Sequence, residues 1–291
     1  MPVKNRSLWL LLPFLVIMGL FFAAPLLLVV GYSFMTDHYP GGVEMPLTLN
    51  AYFKIFYQKN FDDVWEFDPS FLHVCWLSIK LAGLCTILCL LLGFPMAYYM
   101  ATRPAHQRNL WMMLVTIPFW TNLLIRTYAW MLILRTDGLV NNGLKGAGII
   151  KEPLDLLYTD FAVGVGLLYS YLPFMVLPIY SNLERMDWRL VEAAADLYAT
   201  RWQTLFKITI PLTMPGIVAG SILVFIPSIG SYLAPQLLGG GQQLMLGNKI
   251  EALFGSAGDW PFGSAASVAL MALVMIGLMI MSRRGGLKEL V

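Results

Sequence analysis

Six apolar runs, each long enough or nearly long enough to cross a bilayer, constrain this chain more than any other feature. They are Leu8–Ser33, Val74–Met100, Leu110–Leu134, Phe161–Ser181, Ile217–Leu238 and Gly263–Met281. A spanning helix needs about 20 mainly apolar residues, and its backbone polar groups must be satisfied within the segment. Hydrophobic residues make up 58% of the chain and charged residues 12%, against about 25% charged in soluble domains. The fold class this implies is an all-α polytopic membrane protein with six transmembrane helices, residues 1–291 forming one transmembrane domain. A soluble enzyme is excluded. Lys4 and Arg6 precede the first run, which exceeds the roughly 7–15 apolar residues of a signal peptide, so it is expected to remain as an uncleaved span.

Charge sets the orientation. With the N-terminus inside, the inner segments hold eleven Lys and Arg against five acids, and the outer segments six against twelve. The inverse arrangement violates the positive-inside rule, so both termini are expected in the cytoplasm. Lys80 and Arg126 remain within spans. Arg126 lies sixteen residues beyond Leu110, or about 24 Å along a continuous helix. That places it near the outer boundary, in a structural or loop-pairing role.

Prolines 95, 118, 173, 178 and 227 interrupt the runs, either as simple kinks or to shape a pathway. The outer segments Met35–His73, Arg135–Asp160 and Gly239–Phe262 mix acids, aromatics and glycines. All three read as ordered; Arg135–Asp160 is expected to form turns with a short interfacial helix, and Gly239–Phe262 a Gly-rich loop, a short amphipathic helix and a turn. Cys75, Cys85 and Cys89 read as small core hydrophobes. His38, His73 and His106 lie near span ends, one in each of three segments.

The longest inner loop, 182–216, contains "EAAADLYATRWQTLFKITIPLTMPGI" (192–217). Taken as one helix, Val191, Ala194, Ala195, Tyr198, Trp202, Leu205 and Thr209 share a face, and Glu192, Asp196, Ala199, Gln203 and Lys207 share another. Acids early and Lys207 late suit the helix dipole, and Pro211 stops the helix. A lipid-binding helix is usually richer in Lys and Arg on its polar face. The mixed charge here favours a protein partner, with a plain membrane-surface helix as the other reading.

Glu192–Ala194, Tyr198–Ala199, Ile208 and "IPLTMPGI" closely resemble the EAA signature of permease subunits of binding-protein-dependent ABC importers. "YSFMT", "LTLNAYFKIF", "IPFWTNLLIRTYAWMLIL", "YLPFMVLPIYSNLERMD", "PLTMPGIVAGSILVFIPSIGSYLAPQLLGG" and "GDWPFGSAAS" extend the likeness over nearly the whole chain, toward the spermidine/putrescine branch. The resemblance implies a cytoplasmic coupling loop seated on an ATPase dimer, with Glu192, Ala193, Ala194, Asp196, Tyr198, Ala199, Ile208 and Pro211 as coupling residues. It also implies a second permease subunit, an extracytoplasmic substrate-binding protein and a place in the bacterial inner membrane, among lipid and without nucleic acid. Two departures stand out. The family usually has Gly at the Tyr198 bend, where a positive φ would cost a tyrosine roughly 1–2 kcal/mol. A right-handed bend with the ring on the apolar side is therefore expected. Some polyamine permeases also carry an acid where this chain has Ser231, so the partner permease supplies that charge or the solute is a different amine.

No catalytic residue and no metal site is read from the chain. "GLVNNGLK" (138–145) misses a phosphate-binding loop because Leu144 stands where the lysine is needed. ATP and Mg are thus expected on the partner ATPase, with no cofactor in this chain. H-E-x-x-H and G-x-S-x-G are absent from the sequence, which argues against a membrane enzyme. An ion-driven transporter would need an acid buried mid-span, and no run contains one. Carboxylates and aromatic faces could guide a polycation. The candidate pathway groups are Phe119, Trp120, Asn122, Tyr128, Tyr169, Tyr171, Ser228, Tyr232, Asp259 and Trp260, each of which could equally anchor a helix at the interface. Another amine, an opine or an anion remains an alternative solute.

Overall fold

The computed structural model describes residues 4–38, 41–60, 64–241 and 244–284. The side chains of Lys4, Arg6, Arg283 and Arg284, and all of Asp62, Asp63, Gln242, Gln243, Lys288 and Glu289, lie outside what it describes. The chain divides into two compact units, 1–73 with 249–275 and 74–248 with 276–291.

In the first unit, α1 (Lys4–Met18) passes through a π-helical turn, Gly19–Ala23, into α2 (Ala24–Tyr32). This stretch is apolar all round and its hydrophobic window buries no residue, as suits a helix facing lipid or another subunit. The segment after α2 then departs from the all-α reading. β1 (Thr36–Asp37) pairs antiparallel with β2 (Val43–Glu44), α3 (Asn50–Phe53) follows, and β3 (Tyr57–Lys59) pairs antiparallel with β4 (Trp65–Phe67). Tyr57 packs edge-on against Phe67, with ring centroids 5.9 Å apart. Such aromatic cross-strand pairs are a local β signal that a span-length window averages away. Asp68 then starts α4 (Ser70–Ala101) by accepting the Ser70 N–H at 2.9 Å. The Ser70 hydroxyl, which also donates to Asp68, and then this backbone bond hold the exposed Asp68 carboxyl below its ordinary range.

The chain continues with α5 (Ala105–Trp120), α6 (Leu123–Leu134), α7 (Leu139–Gly146), α8 (Asp160–Arg185), α9 (Arg189–Asp196) and α10 (Arg201–Thr204). A second π-helical turn, Leu205–Thr209, leads to α11 (Ile210–Leu212), α12 (Met214–Ile229), α13 (Leu233–Leu238), α14 (Leu246–Phe254) and α15 (Trp260–Arg284). The short helices expected after Arg135 and Gly239 are α7 and α14.

Among the described residues four helices are long and apolar enough to cross a membrane: Leu11–Tyr32, Ser70–Ala101, Asp160–Arg185 and Trp260–Met279. The third and fifth apolar runs are each divided. The third stops two residues after Pro118, where Thr121 is extended and Asn122 caps α6 by accepting the Leu124 N–H at 2.8 Å. The fifth stops at Gly230, three residues after Pro227. Pro95, Pro173 and Pro178 sit inside unbroken helices. Proline alone therefore does not end a helix here; a capping or flexible residue just beyond it does.

The core of the second unit joins α4, α8 and α12, with Cys85, Cys89, Val163, Leu167, Met175, Val176, Ile179 and Val224 all buried. Gly216 and Gly220, one turn apart, set the approach of α12 to α8. A Cβ on Gly216 would meet the Pro178 carbonyl at 2.7 Å, and one on Gly220 would meet the Met175 sulfur at 2.9 Å. Small residues at this spacing let two helices in lipid approach closely enough for dispersion to hold them.

Candidate functional site: a bent loop and a recess beside Arg126

The loop read as one helix is two, joined by a tight bend. At the end of α9 the Ala199 N–H donates to the Ala194 carbonyl and the Tyr198 N–H to the Ala195 carbonyl, both at 3.0 Å. This is a Schellman motif, which requires a left-handed residue at the position of Tyr198. Tyr198 adopts it, with φ of 58°, and its side chain is 96% exposed. The expectation of a right-handed bend with the ring on the apolar side is thereby corrected. The hydrogen-bond pattern fixes the left-handed turn, and the turn carries the ring outward.

One residue after Ala199, Thr200 opens α10 through a capping box. Its hydroxyl accepts the Gln203 N–H at 3.3 Å, and the Gln203 side-chain oxygen accepts the Thr200 N–H at 2.8 Å. A C-terminal cap and an N-terminal cap thus stand almost back to back, and the single-helix face is broken between them. Ala194 and Thr209 of that face are buried, and Val191 and Leu205 are half-buried. Tyr198 and Trp202 are exposed instead, and Trp202 stacks on Phe206 at 6.0 Å.

Among the remaining coupling candidates, Glu192, Ala193, Asp196 and Pro211 are exposed, and Ala199 and Ile208 half-buried. A cavity of about 880 Å³ lies between this loop and the end of α4, lined by Phe94, Tyr98, Tyr99, Ala195, Arg201 and Trp202 among others. Beyond the bend, α10 to α11 meets α12 at 67°. Buried Thr213 sits at that corner and donates to the Thr209 carbonyl at 2.8 Å.

The second feature is a recess of about 220 Å³ where the α5–α6 break, α8 and the turn after α12 meet. Phe119, Arg126, Ser170, Tyr171, Phe174 and Ser231 line it. Phe119 packs edge-on against Phe174 at 5.1 Å, and the Tyr171 hydroxyl donates to the Pro227 carbonyl at 3.1 Å. The Arg126 guanidinium lies 6.0 Å from the Tyr169 ring, and its Nε and Nη1 are buried without a hydrogen-bond partner. The straight-helix estimate for Arg126 therefore fails. The helix restarts at Leu123, so Arg126 occupies the first turn of α6 beside the break.

Of the proposed pathway residues, the recess brings together Phe119 and Tyr171. Trp120 is 86% exposed at the break, Asn122 is the α6 cap, and Tyr128 is exposed on α6. Ser228 is buried and donates to the Val224 carbonyl at 2.6 Å, so it faces the core and not the recess. The Tyr232 carbonyl accepts from the Asn248 side chain at 3.0 Å.

Asp259 and Trp260 belong to the first unit. There Asp259 accepts the Phe262 N–H at 3.1 Å, capping α15, and its other oxygen pairs with the Lys54 ammonium at 2.5 Å. Lys54 also reaches Asp37 at 3.3 Å. Burial works against its charge, but Asp259 and then Asp37 outweigh that and raise the Lys54 pKa. Asp259 thus already holds an ammonium, which belongs to this chain. Arg126 was placed at the outer boundary and not beside a helix break, and Lys54 was the residue sequence reasoning missed. The run "TNLLIR" carried the signal for the first, since Thr-Asn after a proline is a helix restart.

The family model for the "binding-protein-dependent transport system inner membrane component" matches residues 90–284, taking in the recess and the bent loop. The chain belongs to this family. It is a permease subunit of an ABC importer, an inner-membrane component. The permease is 40% identical to the spermidine/putrescine transport system permease protein PotB of Salmonella typhimurium LT2, over 96% of this chain and 94% of that one. It is equally 40% identical to PotB of Escherichia coli K12, over 90% of each. Its fold matches the crystal structure of a bacterial alginate ABC transporter in complex with an alginate pentasaccharide-bound periplasmic protein, with a TM-score of 0.73 at 18% identity over 97% and 96% of the two chains.

Proposed function

We propose that this permease imports polyamines of the spermidine and putrescine type, as one of two related permease subunits above a pair of separate ATPases. The observation that carries the solute class is the 40% identity to PotB along almost the full length of both chains. In this reading α5 with α6, and α12 with α13, each serve as one broken crossing, giving six spans in all. The charge bias puts both termini and the α9–α10 loop in the cytoplasm. The loop seats on the ATPase, with Glu192, Ala193, Ala194, Asp196, Tyr198, Ala199, Ile208 and Pro211 at or behind the contact. ATP-driven closure of the ATPases moves the loop, and the 67° corner at Thr213 passes that movement to α12. A binding protein delivers solute from the other side. Amines pass along aromatic faces such as Phe119 and Tyr171, where a cation–π contact contributes about 0.5–2 kcal/mol.

One observation favours a second reading. An arginine with two unpartnered buried nitrogens in a recess suits a solute that carries a carboxylate, such as an opine. Substrate-stimulated ATP hydrolysis by the reconstituted importer, screened over spermidine, putrescine, amino acids and anions, separates the two. Stimulation by spermidine or putrescine with its binding protein supports the first reading, and stimulation only by a carboxylate-bearing solute replaces it. In the second case Arg126→Met raises the half-saturating concentration about tenfold or more. For the loop, Glu192→Lys or Ala194→Trp is expected to leave the permease inserted but uncoupled, and wild-type uptake by both variants would sink the docking role.

A further inference from the structure

We infer that Tyr198 is the anchor by which this permease recognises its own ATPase; this rests on the docking of the α9–α10 loop proposed above. The backbone at Tyr198 is left-handed, with φ of 58°, a conformation that glycine adopts freely and that costs a tyrosine roughly 1–2 kcal/mol. The folded chain recovers nothing through the ring, because the side chain is 96% exposed. A residue that is costly to the fold and idle within it is one whose contacts lie on another molecule.

Its neighbours point to a protein occupant. Leu197 is 81% exposed and Trp202 70% exposed, so three large side chains project beside the bend. Exposed Glu192 and Asp196 precede them, and exposed Arg201, Gln203 and Lys207 follow. A charged belt of both signs does not settle into hydrocarbon, but it matches a partner surface with its own mixed charges. Large aromatics at the centre of such a rim, held out on a rigid bend, have the character of interface anchors. Both sides of the bend are fixed, by the Schellman motif and by the Thr200–Gln203 capping box, so little entropy is lost when the ring docks. The partner is accordingly an ATPase subunit with an apolar recess deep enough for a phenol ring, flanked by basic and acidic groups.

The test uses the assembled permease pair in lipid nanodiscs, titrated with its cognate ATPase, with thermal unfolding of the pair measured in parallel. Tyr198→Gly is expected to raise the unfolding temperature of the pair, because the left-handed cost is removed. It should also weaken ATPase binding at least tenfold. Tyr198→Ala, which keeps the unfavourable φ, should weaken binding equally without the gain in stability. A non-cognate ATPase, from an importer whose permeases carry glycine at this place, should bind Tyr198→Gly more tightly than wild type. Wild-type affinity and coupling in Tyr198→Gly, with Glu192→Lys still disruptive, overturns the anchor and leaves loop docking standing. Wild-type affinity in both variants removes the docking reading itself. Unchanged ATPase affinity with weaker membrane retention of the loop assigns the ring to lipid and likewise overturns the anchor.

Discussion

Two of the chain's bends, the one between α5 and α6 and the one between α9 and α10, are built in opposite ways. Between α5 and α6 the backbone turns through extended Thr121 and Asn122, and local hydrogen bonds hold the break: the Thr121 hydroxyl donates to the Pro118 carbonyl at 2.7 Å, and Asn122 accepts from Leu124. Between α9 and α10 the hydrogen bonding is as complete, but the turn forces Tyr198 into a left-handed conformation. The first bend asks no residue for a left-handed backbone. The second contains one residue that the fold alone would not choose, and local disagreement of that kind marks positions answering to something other than folding.

The comparison can be broken most severely at the frame from which both bends hang. Gly216→Val places a methyl against the Pro178 carbonyl and Asn182. It should destabilise the permease by about 3 kcal/mol or more, read as loss of folded protein in detergent and a lower unfolding temperature. Next come the caps. Asn122→Ala and Thr200→Ala should each cost about 1 kcal/mol of stability, measured the same way. Only Thr200→Ala should also weaken ATPase association in a pull-down, since only its bend belongs to the loop proposed to dock there. Equal loss of association in both variants would erase the contrast between the two bends.

The smallest effect is electrostatic. The Lys54 pKa is raised in the fold, so its stabilising pairing is fully present below the ordinary lysine value of about 10.4. It is lost as pH rises through the higher folded value. The pair's contribution to the unfolding temperature should therefore be constant with pH near neutrality and fall in the alkaline range, and Lys54→Met should abolish that alkaline component. An unchanged alkaline fall in Lys54→Met would show that other groups carry it.

Much of this was legible because membrane sequences are patterned simply. Four of the apolar runs are single long helices, and the loop helices expected after Arg135 and Gly239 are present. The divided runs were hidden because a hydropathy window sees Pro118 and Pro173 alike. The difference lies three and four residues on, in Thr121-Asn122 after one and Val176-Leu177 after the other. The single-helix reading of residues 191–209 failed for a related reason. Regular 3.6-residue spacing persists on both sides of Tyr198, but the helix axis does not. The handedness of the bend follows from which carbonyls at the end of α9 find donors, a choice made by the backbone and invisible to side-chain periodicity. The recess beside Arg126 was missed because its walls come from three separate stretches of sequence.

The ion pair between Lys54 and Asp259 has a consequence in time as well as in space. Its partners are 205 positions apart, and the second caps the last long helix. A ribosome extends the chain at roughly 5–20 residues per second. The segment around β1, β2 and α3 must therefore wait on the order of ten seconds or more after its own emergence before Asp259 exists to meet Lys54. Until then Lys54 and Asp37 face solvent on a segment whose final support has not been made. The last long helix thus completes the first long loop, and a chain shortened before residue 259 would lack that closure however well its earlier helices were formed.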